Sequence, residues 1–101
     1  MYTSITIDPK YKNLLLEIIE KHIPNCSVIL FGSRAKKTHA PHSDIDIALD
    51  TNTIIDSTLL GTIKDEIEES TVPFFVDVVD IHNISKELKE QIEKHGIIWK
   101  K

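Results

Sequence analysis

The hydrophobic and polar positions of the chain follow two periodicities, and these predict helices and strands in turn. Apolar residues recur at helical spacing in three stretches: Pro9–His22, Thr58–Glu69, and a segment that Ser85 caps and Gly96 ends. Short apolar runs, mostly β-branched, predict three strands: Ser27–Phe31, Asp44–Leu49 and Phe74–Val79. A short helix is predicted over Ser33–Lys37, and Ile97–Trp99 forms a last short apolar segment.

This alternation predicts an α/β or α+β fold, in which a small mixed β-sheet is flanked by helices in the order α-β-α-β-α-β-α. The chain has 101 residues, of which 41% are hydrophobic and 28% charged. That length fits one compact domain, residues 1–101, and leaves no room for a second core. We therefore expect a single-domain protein.

Composition narrows the compartment and the partners. A single cysteine, Cys26, excludes an internal disulfide, and no cysteine–histidine spacing suggests structural zinc. Neither a signal-peptide pattern nor a membrane-length apolar run is present. We therefore expect a soluble, cytoplasmic protein without membrane contact. A formal net charge of −4 argues against broad nucleic-acid binding, although a local basic patch could hold the phosphates of a nucleotide.

The first chemical signal is a pair of aspartates, Asp44 and Asp46, on the second predicted strand. Strand side chains alternate between faces, so both carboxylates project to one side, with Cα atoms roughly 6.5–7 Å apart. Like charges in this position favour a hard divalent cation with oxygen ligands, and Mg²⁺ is the natural choice. Taken by itself, such a pair commonly faces water.

The segment Phe31-Gly32-Ser33 lies ten residues before Asp44, at the end of the first predicted strand. Glycine lets the backbone approach a ligand closely, and the serine hydroxyl can bond a phosphate oxygen. A helix that begins here also points its free N–H groups at the same place. A nucleoside triphosphate could therefore lie between this turn and the metal.

A third carboxylate is expected, because two metal ions can stabilise both the attacking and the leaving oxygen of an in-line displacement. Asp77 is the candidate, since it interrupts an apolar run where a buried charge needs a partner. It could instead be a charge that protects an edge strand. Asp80 is the rival, but it falls on the other strand face, where solvent exposure or helix capping would explain it.

Together, Gly32-Ser33, the ten-residue interval, Asp44-x-Asp46 and the later Val76-Asp77-Val78-Val79-Asp80 resemble the minimal nucleotidyltransferases of the DNA polymerase β superfamily. The resemblance extends from the first helix to His95-Gly96-Ile97-Ile98. It implies the nucleotidyltransferase fold, with phosphates held by Gly32 and Ser33 and metals by Asp44 and Asp46. It also implies that Asp77 is the third carboxylate and the base.

In this family a glycine often follows the Gly-Ser-Arg-Ala stretch, whereas here Lys36 and Lys37 occupy those positions. Arg34 could offset phosphate charge and is a third nucleotide-binding candidate, although a solvated helix face carries such residues routinely. For Lys36 and Lys37 the solvated interpretation is preferred. His39 and His42 are expected to be ordinary loop residues.

The resemblance also implies a partner. Larger relatives hold their acceptor with an additional domain, whereas minimal members commonly occur with a helical HEPN-domain protein, often an RNase toxin. The leading hypothesis is an antitoxin that transfers AMP from ATP, with two Mg²⁺ ions, to a tyrosine of that toxin. Two alternatives are a binding module without turnover, and nucleotidyl transfer to a small molecule or an RNA end. The nucleotide base, the acceptor and the oligomeric state are left open.

Overall fold

A computed structural model describes residues 7–37 and 43–101 of the chain. This part contains four helices: α1 (Pro9–His22), α2 (Gly32–Ala35), α3 (Ser57–Glu68) and α4 (Lys86–His95). It also contains four strands: β1 (Ser27–Phe31), β2 (Ile45–Asp50), β3 (Val76–Asp80) and β4 (Ile97–Lys100). Within the same residues, no helix combines the length and the apolar character needed to cross a membrane.

The long helices begin where the sequence provides a capping side chain. Asp8 accepts a hydrogen bond from the Lys10 backbone N–H at 2.9 Å, and proline follows it at the first helical position. Ser85 caps α4 in the same way, through the N–H of Leu88 at 3.1 Å. Both predicted caps are confirmed.

The four strands form one mixed sheet in the order β3-β2-β1-β4. β1 pairs antiparallel with both β2 and β4, whereas β2 and β3 are parallel. Parallel neighbours need a crossover connection, and α3 supplies it between β2 and β3. The predicted mixed sheet with flanking helices is confirmed.

The predicted element order needs one correction, because the chain continues past the last helix into β4. Ile97 of this strand pairs with Leu30. Without β4, the backbone N–H and C=O groups on the side of β1 that faces away from β2 would be unpaired. The final apolar segment pairs with them as β4. The order is therefore α-β-α-β-α-β-α-β.

Strand alternation divides the core between the two faces of the sheet. The larger cluster joins the inward side chains of β1 and β2 to α1 and α3, and its fully buried members include Val28, Leu30, Ile47, Leu49 and Ile63. On the opposite face a smaller cluster joins Ala48 and Ile81 to Ile92 of α4. The sheet is thus covered on both faces.

β3 is shorter than predicted, since it begins at Val76 instead of Phe74. Phe74 packs against the larger core cluster. Phe75 is 67% exposed and therefore lies outside the core. The exposed aromatic side chain lies at the start of the sheet's edge strand.

Asp80, the rival third carboxylate, is buried, and this contradicts the expected solvent-exposed or helix-capping role. Its Oδ2 atom accepts from the Ile55 N–H at 2.7 Å, and its Oδ1 atom accepts from the His82 N–H at 2.9 Å. A buried carboxylate is stable when backbone donors satisfy it. Asp80 therefore ties the connection that follows β2 to the end of β3.

We predict that Asp80→Ala lowers the free energy of unfolding by about 2–4 kcal/mol, because the N–H groups of Ile55 and His82 lose their acceptor. Urea denaturation followed by circular dichroism measures the change. The control is Asp77→Ala, which removes a half-buried carboxylate and should leave stability unchanged or higher. Equal losses in the two variants would contradict this assignment.

Candidate functional site

The register of β2 and β3 brings two of the predicted site carboxylates together. Asp46 on β2 lies directly opposite Asp77 on β3. Neighbouring strands are about 4.7–4.9 Å apart, and paired residues project to the same face. Asp44 lies two residues before Asp46, just ahead of the strand, and its side chain is exposed. The carboxylates of Asp44, Asp46 and Asp77 are therefore neighbours.

Asp46 is the central carboxylate of this group, and its surroundings disfavour the ionised form. Burial raises the pKa of Asp46 above its usual value, and the negative charges of Asp77 and Asp44 raise it further. A cation between the carboxylates would counter both effects, because its positive charge stabilises the ionised form of Asp46.

The donor set suits Mg²⁺, which prefers carboxylate oxygens and retains several waters of its own. Among the described residues, no three acidic, histidine or cysteine side chains are already arranged as a complete metal site. Asp46 and Asp77 nevertheless share a face, and Asp44 lies just ahead of Asp46, so ligands of the right chemistry are close together. Metal binding by these three residues remains a prediction.

Gly32 connects the predicted phosphate turn to the carboxylates. Its φ of +76° lies in the left-handed region, which side-chain-bearing residues rarely adopt. A Cβ atom built on Gly32 would lie 2.3 Å from Oδ2 of Asp46. Glycine is therefore required both by the backbone conformation and by the approach of the Asp46 side chain.

The helix that follows is a single turn, Gly32–Ala35, shorter than the predicted Ser33–Lys37. It provides backbone N–H groups near Asp46 but little of the dipole that a long helix would supply. Lys37, just beyond it, has a φ of +60°. That conformation favours glycine, so this chain has a lysine at a position whose backbone shape glycine adopts more easily.

Arg34 is almost fully buried, at 4% exposure, so the solvated-face interpretation does not hold for it. Its Nη2 and Nε atoms donate to the backbone carbonyl of Ser43, at 2.8 and 3.1 Å. Its guanidinium also stacks 4.6 Å from the ring centroid of Phe74. Arg34 therefore fixes the backbone immediately before Asp44, and phosphate binding by this residue remains a prediction.

The stack under Arg34 continues into the body of the protein. Phe74 meets the Tyr11 ring edge-on, with centroids 6.1 Å apart, and so links the site to α1. Burial lowers the pKa of Arg34, and the nearby Asp44 opposes that effect. No sequence signal identified this positioning role, because it depends on Phe74, which is distant in the chain.

Lys36 and Lys37, the remaining basic candidates among the described residues, do not enlarge the site. Lys36 and Lys37 are exposed, in agreement with the solvated interpretation. His39 and His42 lie outside the described residues. The site therefore consists of the turn at Gly32 and Ser33, the carboxylates of Asp44, Asp46 and Asp77, and the Arg34 contact that supports them.

A comparison with protein families matches residues 13–100 to the family described as "Polymerase beta, Nucleotidyltransferase". Among curated proteins, the chain is 27% identical over 97 residues to the "Probable protein adenylyltransferase MntA" of Haemophilus influenzae. That alignment covers 96% of this chain and 85% of the relative.

Solved structures agree on the fold. One chain of a toxin–antitoxin crystal structure with AMP-PNP superposes with a TM-score of 0.75 at 26% identity, covering 89% of this chain and 73% of that one. Another comes from the complex of a tri-AMPylated Shewanella oneidensis HEPN toxin with an MNT antitoxin. It has a TM-score of 0.73 at 23% identity, and covers 94% of this chain and 74% of that one.

We predict that Gly32→Ala destabilises the protein and abolishes ATP binding. An alanine in the left-handed region costs about 1–2 kcal/mol, and its methyl group would displace Asp46. Gly61→Ala is the matched control, because Gly61 lies inside α3 with open space around it. That variant should gain about 0.5–1 kcal/mol and bind ATP normally. Calorimetric titration and thermal unfolding test both; unchanged ATP binding by Gly32→Ala would contradict the role of the turn.

A second prediction concerns the raised pKa of Asp46. Below the unfolded-state pKa of about 3.9, its carboxyl is neutral in both states and causes no penalty. As pH rises through the raised folded-state pKa, the folded protein must ionise a disfavoured carboxyl, so stability is lost. Asp46→Asn should therefore raise Tm at neutral pH without divalent cations, and this gain should disappear in acid.

The measurement is Tm across this pH range, where each 1 kcal/mol corresponds to about 4–8 °C for a domain of this size. Mg²⁺ should raise the wild-type Tm and leave Asp46→Asn unchanged. Asp65→Asn, at an exposed position of α3, is the control and should have no effect. A wild type more stable than Asp46→Asn in neutral, metal-free buffer would contradict the argument.

Proposed function

The chain belongs to the polymerase beta nucleotidyltransferase family, and on this premise we propose that it transfers AMP from ATP to a tyrosine of a HEPN-domain toxin. In this role the protein is the antitoxin of the pair, and the reaction takes place in the cytoplasm. The observation that carries the proposal is the apposition of Asp46 and Asp77, next to Gly32, on one face of the sheet.

Two relatives support the adenylyl group and the protein acceptor. The Haemophilus influenzae relative carries the name of a protein adenylyltransferase, and its alignment covers nearly the whole of this chain. The toxin–antitoxin structure with AMP-PNP contains an analogue of ATP. The HEPN toxin and its tyrosine follow from the sequence resemblance, and a HEPN toxin is also the partner in the MNT antitoxin complex of similar fold.

In the proposed site, Gly32 and Ser33 hold the phosphates, and Arg34 keeps the backbone ahead of Asp44 in place. Asp44, Asp46 and Asp77 would hold two Mg²⁺ ions, whose chemistry is to neutralise phosphate charge and stabilise the attacking and leaving oxygens. The raised pKa of Asp46 suits this arrangement, because a cation restores its ionised form. The chain thus supplies the groups that orient the nucleotide.

The proposed reaction forms one bond to the α-phosphorus of ATP and breaks another, with transfer of one proton. The tyrosine oxygen attacks the α-phosphorus of ATP, the bond from that phosphorus to the bridging oxygen breaks, and pyrophosphate leaves. Asp77 accepts the proton of the tyrosine hydroxyl as general base. Its half-buried position at the edge of the carboxylate group makes it the member best placed to face an incoming acceptor.

We predict that the purified chain, with Mg²⁺ and ATP labelled at the α-phosphate, labels a cognate HEPN-domain protein. Asp44→Asn and Asp46→Asn should each reduce labelling by at least about 100-fold, because neither variant holds the nucleotide and metal correctly. Scintillation counting of the separated proteins measures transfer. Mass spectrometry then locates the modified tyrosine.

Circular dichroism controls for folding, and Glu93→Gln, at an exposed position of α4, controls for the loss of one surface charge. Full labelling by both Asp44→Asn and Asp46→Asn would contradict the catalytic proposal. A toxin neutralised equally well by wild type and by the Asp44→Asn/Asp46→Asn double variant would instead indicate a binding antitoxin without turnover. Labelling of an RNA end or a small molecule, and not of protein, would identify the other alternative.

A further inference from the structure

β3 forms one edge of the sheet, and its outer side has no partner strand among residues 7–37 and 43–101. The carbonyl of Phe75 accepts from the N–H of Ile45 at 2.9 Å, so the backbone groups of Phe75 point toward β2. Backbone direction alternates along a strand. The N–H and C=O groups of Val76 and Val78 therefore point outward, where another strand could pair with them.

A groove of about 390 Å³ runs beside this edge, between the C-terminal half of α3 and the segment that leads into β3. Its lining includes Ile67 and Val72 as well as the exposed ring of Phe75. Asp77, the proposed general base, is also among the lining residues. The groove thus borders the strand that carries the proposed general base.

Acidic residues outnumber basic residues in the lining of the groove. Asp65 and Glu68 contribute two carboxylates to the lining, against the single ammonium of Lys64. Such a lining attracts positive charge and repels acidic segments. An occupant that combines apolar with basic side chains therefore fits the groove, whereas free nucleotide, which is an anion, does not.

We propose that the β3 edge docks the acceptor as an added strand. An extended segment of the partner protein pairs with Val76 and Val78, and its basic residues lie against Asp65 and Glu68. Because side chains alternate, a residue opposite Asp77 projects to the face of the carboxylates, and its neighbours project toward the groove. This inference rests on the proposed function and adds the acceptor class: a hydroxyl-bearing, basic, extended peptide.

The geometry of an added strand favours this delivery. Paired strands lie about 4.7–4.9 Å apart, so a side chain opposite Asp77 is within reach of its carboxylate. The same alternation puts an apolar side chain of the segment next to Ile67 and Val72. One bound segment would thus satisfy the open backbone groups, the apolar lining and the acidic charge together.

The binding test uses two tyrosine peptides of equal length that differ only in charge. Both contain an alternating valine–tyrosine core, flanked in one by lysines and in the other by glutamates. Titration into the ¹⁵N-labelled chain, monitored by NMR, should shift the amide signals of Val76 and Val78. The lysine peptide should bind at least about tenfold more tightly than the glutamate peptide.

Phe75→Ser should lower the affinity for the lysine peptide about tenfold, because the substitution removes an exposed aromatic contact. The matched control is Ile98→Ser on β4, the opposite edge, which removes a side chain of similar exposure, 58% against 67%. Asp65→Lys/Glu68→Lys should reverse the peptide preference. The control for that charge change is Glu90→Lys/Glu93→Lys on α4, where both residues are exposed.

Equal binding of the two peptides, shifts confined to β4, or no binding would each overturn the docking proposal. Concentration-dependent shifts at Val76 and Val78 without peptide would also overturn it, in favour of pairing between two copies of this chain. These readouts require no turnover, so the two proposals fail separately. In the labelling assay, Phe75→Ser should raise KM for the acceptor protein and leave ATP binding unchanged.

Discussion

Asp46 and Asp77 lie side by side on parallel strands, and this unfavourable pairing of like charges is the constraint that the surrounding structure has to maintain. Repulsion and burial raise the pKa of Asp46, so the two groups would separate if the strands could shift. They are held because β2 alternates, with Ile45, Ile47 and Leu49 fully buried on the other face. A slip by one residue would move Asp46 into the apolar core and bring those side chains out.

The parallel pairing has its own support at the far end of the strands. Asp80 occurs on the same strand as Asp77 but on the opposite face, where it is buried and accepts from two backbone N–H groups. Those bonds fix the entry to the crossover that contains α3. One aspartate of β3 therefore stabilises the connection that makes β2 and β3 parallel, and the other is free to serve the site that this arrangement creates.

Two further contacts convert a pair of carboxylates into an organised site. Gly32 leaves the space that Oδ2 of Asp46 occupies, and Arg34 holds the Ser43 carbonyl one residue before Asp44. Both contacts join the turn that follows the first strand to the second strand or to the residue pair just ahead of it. These contacts hold the Gly32 side of the site, whereas the β3 side borders a groove and a strand edge that has no partner among residues 7–37 and 43–101.

Local rules in the sequence determined most of the elements. The bounds of α1 and β1, the caps Asp8 and Ser85, and the opposite faces of Asp77 and Asp80 follow from periodicity and capping chemistry. Tertiary structure alone decided the β2–β3 register, the addition of β4, the burial of Arg34 against Phe74 and the exposure of Phe75. The physical reason is distance along the chain: alternation and capping act over a few residues, whereas register and burial depend on partners that only folding brings together.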